Sequence, residues 1–143
     1  MSITRTTMSG AAAGAIALTL GIGLAGAAIA ATPPAEPSVM VFDQKVQNSQ
    51  VTIDYANLPA NGYIAIYGSN EKGDRSGEPI GSASVAPGDH RHVKVTLNRA
   101  AKPGERLWAS LYTDGDGAPD FKPGKGDSPV WSMLPAENAF TVR

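Results

Sequence analysis

The densest chemistry in the sequence sits in one stretch, Thr113-Asp114-Gly115-Asp116-Gly117-Ala118-Pro119-Asp120. Carboxylates at alternating positions can converge on one hard cation such as calcium, and the glycines between them permit the tight curve this requires. Asp127 follows shortly after and can fold back to add an oxygen. The expected metal ligands are therefore Asp114, Asp116, Asp120 and Asp127, with calcium as the ion and an affinity in the sub-millimolar to millimolar range. The competing reading is that Asp and Gly are simply good turn formers at a strand end.

A second constellation is His90-Arg91-His92. Side chains alternate along a strand, so both imidazoles are expected on one face, where they could hold copper or zinc. No third ligand is evident in the sequence, and Met40 and Met133 are not tied to that face, so exposed surface histidines are the plainer reading. No linear catalytic set emerges: there is no GxSxG elbow, no HExxH, no phosphate loop and no GxGxxG. Trp108 and Trp131 could line a carbohydrate platform, but Trp in a sandwich more often packs against core or sheet. The chain is not expected to be an enzyme.

The elements that position these residues must fit in 143 residues, a length that allows one domain. Hydrophobic residues make up 42% and charged residues 17%, which excludes a disordered polyelectrolyte. A net charge of -1 argues against a nucleic-acid binder that relies on a general basic field. Cysteine is absent, which removes disulfides, thiol catalysis and Cys-ligated metal.

Residues 1–30 read as an export signal. Arg5 precedes a long Ala/Gly/Leu/Ile run that ends in Ala28-Ile29-Ala30, the small–x–small pattern of a cleavage site. Cleavage is expected after Ala30, with Ala31 as the alternative; an uncleaved N-terminal anchor is the rival reading. No Cys marks a lipoprotein, and no twin arginine marks the folded-protein route. Residues 31–37 are a Pro-rich linker, with Pro33, Pro34 and Pro37 favouring an extended spacer. The folded domain is expected over residues 38–143. After cleavage, no integral membrane association is expected.

From Ser38 on, period-two segments alternate with turns, and no helical stripe appears. Strands are expected from Val39 towards Val46, over Val51–Tyr55 with Val51, Ile53 and Tyr55 on one face, and over Tyr63–Tyr67 with Ile64 and Ile66 opposing the tyrosines. Gly68 to Gly77 reads as a polar loop, and Pro79–Val85 as an edge strand. The next strand places Val93, Val95 and Leu97 inward; Leu107–Tyr112 and Phe140–Val142 complete the set. About seven short strands with turns at this spacing predict an all-β fold, an immunoglobulin-like β-sandwich. A β-barrel is the alternative.

Three stretches carry a family resemblance: Pro87-Gly88-Asp89-His90-Arg91-His92-Val93-Lys94-Val95-Thr96-Leu97, Leu107 to Gly117, and Asp120-Phe121 through Val130. In this order, after Gly62-Tyr63-Ile64-Ala65-Ile66-Tyr67, the chain resembles the DUF7282-type domain, an uncharacterised β-sandwich module of exported and cell-surface prokaryotic proteins. The resemblance implies a fold and a location but no reaction, and it implies that His90 belongs to the scaffold. The acidic turn is also similar to the calcium repeats of thrombospondin-type arrays. In that register Asp114, Asp116 and Asp120 fill the third, fifth and ninth positions, while Tyr112 and Pro123 stand where the first and twelfth ligands belong.

The expected function is that of an exported, non-enzymatic module, periplasmic, cell-surface or secreted, that binds an unidentified protein or envelope partner or contributes to the envelope, with no nucleic-acid partner and no cofactor. The alternative is a small extracytoplasmic metal-binding domain, with calcium at the acidic loop or, less favoured, copper or zinc at the HxH strand.

Overall fold

The computed structural model describes residues 36–131 and 136–143. The expected signal segment, most of the linker and Met133 lie outside the described residues. Eight strands are described: β1 (Ser38–Met40), β2 (Gln50–Leu58), β3 (Gly62–Ser69), β4 (Arg75–Val85), β5 (Gly88–Thr96), β6 (Arg106–Asp114), β7 (Asp127–Pro129) and β8 (Glu137–Thr141). They form two antiparallel sheets. One has the order β1-β2-β5; the other runs β4-β3-β6-β7, with β8 also paired to β6. This is the expected immunoglobulin-like sandwich.

Alternation builds the core. Val51, Ile53, Ala56 and Leu58 of β2 face Ile64 and Ile66 of β3 and Leu107, Ala109 and Leu111 of β6, all buried in one cluster with Val95, Phe140 and Val142. Such branched side chains suit a pleated, buried surface. The opposite faces of β3 and β6 carry a second cluster, Tyr63, Ala65, Tyr67 and Tyr112, with Trp108 and Phe121 against it.

Four local expectations differ from the structure. First, Tyr55 does not join the face of Val51 and Ile53. Its hydroxyl donates to Asp89 Oδ1 at 2.8 Å, and Arg91 stacks over its ring. Buried positions on β2 change parity between Ile53 and Ala56, opposite the stretch of β5 where His92 takes a left-handed backbone (φ 55). Second, the first strand ends at Met40. Beyond it the Gln44 side chain takes over the strand's role, accepting from Thr52 N and donating to Thr52 O at 2.8 Å each. The Gln44 backbone then bridges Val142 in parallel, so the segment passes from one sheet to the other.

Third, the polar loop from Gly68 to Gly77 contracts. β3 and β4 extend as a hairpin to a turn in which Asn70 Oδ1 accepts from Lys72 N and Asp74 N. Polar residues there mark an exposed hairpin end rather than the end of the strands. Pro79 does fall in the edge strand β4, opposite Tyr67 beside a register shift. Fourth, β7 went unpredicted, because Asp-Ser-Pro has no apolar alternation.

The core account has a direct check. Ile64→Ala or Leu111→Ala should each cost about 2–5 kcal/mol in urea unfolding, whereas Phe42→Ala, at a residue 61% exposed, should stay within about 0.5 kcal/mol. Equal losses at core and surface positions contradict the assigned faces.

Candidate metal centre

Strand pairing assembles the acidic site. Antiparallel β6 and β7 place Asp114 directly opposite Asp127, with Tyr112 opposite Pro129 and Thr113 opposite Ser128. The chain between them, residues 115–126, closes as a long hairpin. Gly115 N donates to Gly126 O at 2.9 Å, and Asp114 N donates to Asn61 O at 2.9 Å. The first bond ties the two arms of the hairpin together, and the second anchors the end of β6 to the turn before β3.

Two glycines make the closure possible. A Cβ on Gly115 would stand 2.3 Å from Gly126 O, and one on Gly126 would stand 2.1 Å from Asp116 Oδ2. Gly126 also has φ +123, a region that L side chains rarely adopt. The two backbones therefore approach as closely as only glycine permits, and this brings Asp116 against the β7 side of the hairpin.

The result is a cluster of three carboxylates. Asp114, Asp116 and Asp127 each offer an oxygen, and these oxygens all lie within 4.8 Å of one another. Two oxygens bound to one calcium at about 2.4 Å can be no farther apart than about twice that distance. Asp114 is half-buried and Asp116 exposed, while Asp127 is fully buried at 0% exposure. Local bonds orient all three. Asp114 Oδ1 accepts from Gly117 N at 2.8 Å, Asp116 Oδ1 from Ala118 N at 2.9 Å, and Asp127 Oδ2 from Lys122 N at 2.7 Å. Asp127 Oδ1 is buried with no hydrogen-bond partner. Among the described residues, no Lys or Arg forms an ion pair with any of the three.

Asp120 stands outside this group. Its carboxylate is exposed, 3.9 Å from Lys122 Nζ. Of the four expected ligands, the structure thus brings together Asp114, Asp116 and Asp127. The histidines belong to no such cluster among the described residues. His90 Nε2 meets Ala86 O at 2.7 Å, and His92 is exposed on its left-handed backbone, which interrupts the regular alternation expected across His90-Arg91-His92.

The hairpin also reaches the aromatic face of the larger sheet. The Tyr63 hydroxyl donates to Ala118 O at 2.9 Å. Phe121 packs on Tyr63 at a 5.1 Å centroid distance and edge-on against Tyr112 at 4.9 Å. Burial, followed by the charges of Asp114, Asp127, Asp116 and Asp120, holds the Tyr63 hydroxyl above the ordinary tyrosine range. A cleft of about 430 Å³ opens beside it, lined in part by Asn61, Tyr63, Ser84, Asp114 and Pro119. Farther along the face, Tyr67 and Tyr112 share a 2.6 Å hydroxyl bond, and Arg75 donates to Ser110 and Tyr112. Burial and the Tyr112 bond push the Tyr67 hydroxyl well above its usual value. The two tryptophans do not behave alike: Trp108 Nε1 donates to Gly73 O, while Trp131 is 63% exposed.

Fold and site together define a small immunoglobulin-like sandwich with a three-carboxylate hairpin at one end of its larger sheet. A family model for DUF7282, a domain of unknown function, matches residues 37–138, and the chain belongs to that family. No curated protein and no solved structure matches it.

The close approach at Gly126 is testable. Gly126→Ala should lower unfolding stability by about 1–3 kcal/mol. Gly124→Ala, at φ +78 but with nothing within 4 Å of the added Cβ, should cost less. A Gly126→Ala protein no less stable than Gly124→Ala would show that the hairpin is not closed this tightly.

Proposed function

We propose that the protein is an exported, non-enzymatic β-sandwich module of the cell envelope, and that its acidic hairpin binds calcium through Asp114, Asp116 and Asp127. The observation that carries the calcium reading is Asp127: fully buried, set opposite a second aspartate, with one oxygen unpartnered. Like charges directly opposite across a strand pair are destabilising. A buried carboxylate with no countercharge costs several kcal/mol. A divalent cation offsets both, and an all-oxygen set favours calcium over zinc or copper. Three carboxylates do not fill the six to eight positions calcium takes, so backbone carbonyls and water supply the rest.

The export reading rests on residues 1–30 and the proline-rich segment after them. An extracytoplasmic location suits a weak calcium site, because extracellular modules bind calcium with a Kd of about 10⁻⁴–10⁻³ M. The reading as a binding or structural module rests on the sandwich, the linker and the lack of a linear catalytic motif.

Titration calorimetry of the protein with calcium should give one site in that affinity range. At ten times the Kd, calcium should stabilise the fold by about 1.4 kcal/mol, visible as a higher melting temperature. Asp127→Asn should abolish the heat and Asp120→Asn should retain it. Absence of both heat and melting shift in the unaltered protein would refute the calcium reading.

A further inference from the structure

We propose that this calcium ion is a latch: it holds the hairpin as a flap over the aromatic outer face of the larger sheet, and its loss uncovers Tyr63 and Tyr112. This rests on the calcium reading above and adds what occupancy of the site controls.

The two arms of the hairpin carry different ligands. The outgoing arm has Asp114 and Asp116; the returning side has Asp127. An ion bound to all three ties the arms together. Each arm also carries one contact to the sheet face. On the outgoing arm, Asp116 Oδ1 holds Ala118 N, and Ala118 O accepts the Tyr63 hydroxyl. On the returning arm, Asp127 Oδ2 holds Lys122 N, the peptide group next to Phe121, whose ring covers Tyr63 and Tyr112. The carboxylates that would bind the ion are thus one hydrogen bond away from both points where the flap touches the sheet.

Without the ion, three carboxylates are crowded within 4.8 Å, one of them fully buried. Separating the arms relieves that repulsion and hydrates Asp127. The same movement draws Phe121 off its two tyrosines. The ion would hold the arms in the closed arrangement described above, in which Tyr63 and Tyr112 are buried at 5% and 4% exposure. Binding and closure are then one linked equilibrium, and linkage is reciprocal. The Phe121 ring, which offers no ligand atom, should therefore contribute to calcium affinity.

Three measurements on the exported protein test this. In calcium, NMR should give strong cross-relaxation between Phe121 and the rings of Tyr63 and Tyr112; in EDTA it should fall several-fold. Trypsin should cut after Lys125, the flap lysine not followed by proline, about tenfold faster in EDTA if opening limits cleavage. Phe121→Ala should weaken calcium binding by roughly three- to tenfold, the scale of one aromatic pair. If calorimetry shows calcium bound while the ring contacts, the cleavage rate and the Phe121→Ala affinity all stay unchanged, the latch is wrong and the calcium site stands. If no calcium binds, the site and the latch fail together.

Discussion

The arrangement at the end of the larger sheet depends on one constraint, the pairing of Asp114 with Asp127. An antiparallel strand pair sets the two carboxylates face to face, and burial of Asp127 keeps water from separating their charges. In a medium of low effective dielectric, such repulsion is stronger than at a wet surface. Only a few responses are available to the chain. It can open or recruit a cation. In the proposed calcium site, Gly115 and Gly126 let Asp116 lie close enough to serve as a third oxygen ligand.

The rest of the sandwich supplies the rigidity that this pairing needs. β6 is clamped on one side by β3 and on the other by β7 and β8 in succession. Its inward residues Leu107, Ala109 and Leu111 lie in the main core, and its outward residues Trp108, Ser110 and Tyr112 on the second, aromatic face. Asp114 therefore emerges from a strand fixed on both edges and both faces. With no cysteine in the chain, the core must hold this geometry without disulfides.

Much of this was legible in the sequence, and the reasons are physical. Alternation in Tyr63–Tyr67 and Leu107–Tyr112 separated core from outer face correctly, since a strand with two different faces shows its period directly. The acidic turn announced itself through Asp and Gly spacing. The choice of ligands was harder. Asp120 looks like part of a loop register but lies out by Lys122, whereas Asp127 enters through pairing between strands, which linear spacing does not encode. β7 was missed for the same reason: three residues with an acid and a proline become a strand only because β6 offers an edge. Tyr55 leaves the face of Val51 and Ile53 because a single left-handed residue, His92, resets the faces of the strand pair, and His at that position gives no warning. The closeness of Gly126 to Asp116 arises only when the hairpin closes, and linear spacing does not encode it.

The central claim is that a cation sits among Asp114, Asp116 and Asp127. A crystal structure of the protein grown in calcium tests it most directly. The account predicts an anomalous peak coordinated by all three carboxylates at about 2.3–2.6 Å, with Asp127 Oδ1 or its partner oxygen among the ligands. A water molecule in that position, with no anomalous signal, would contradict it.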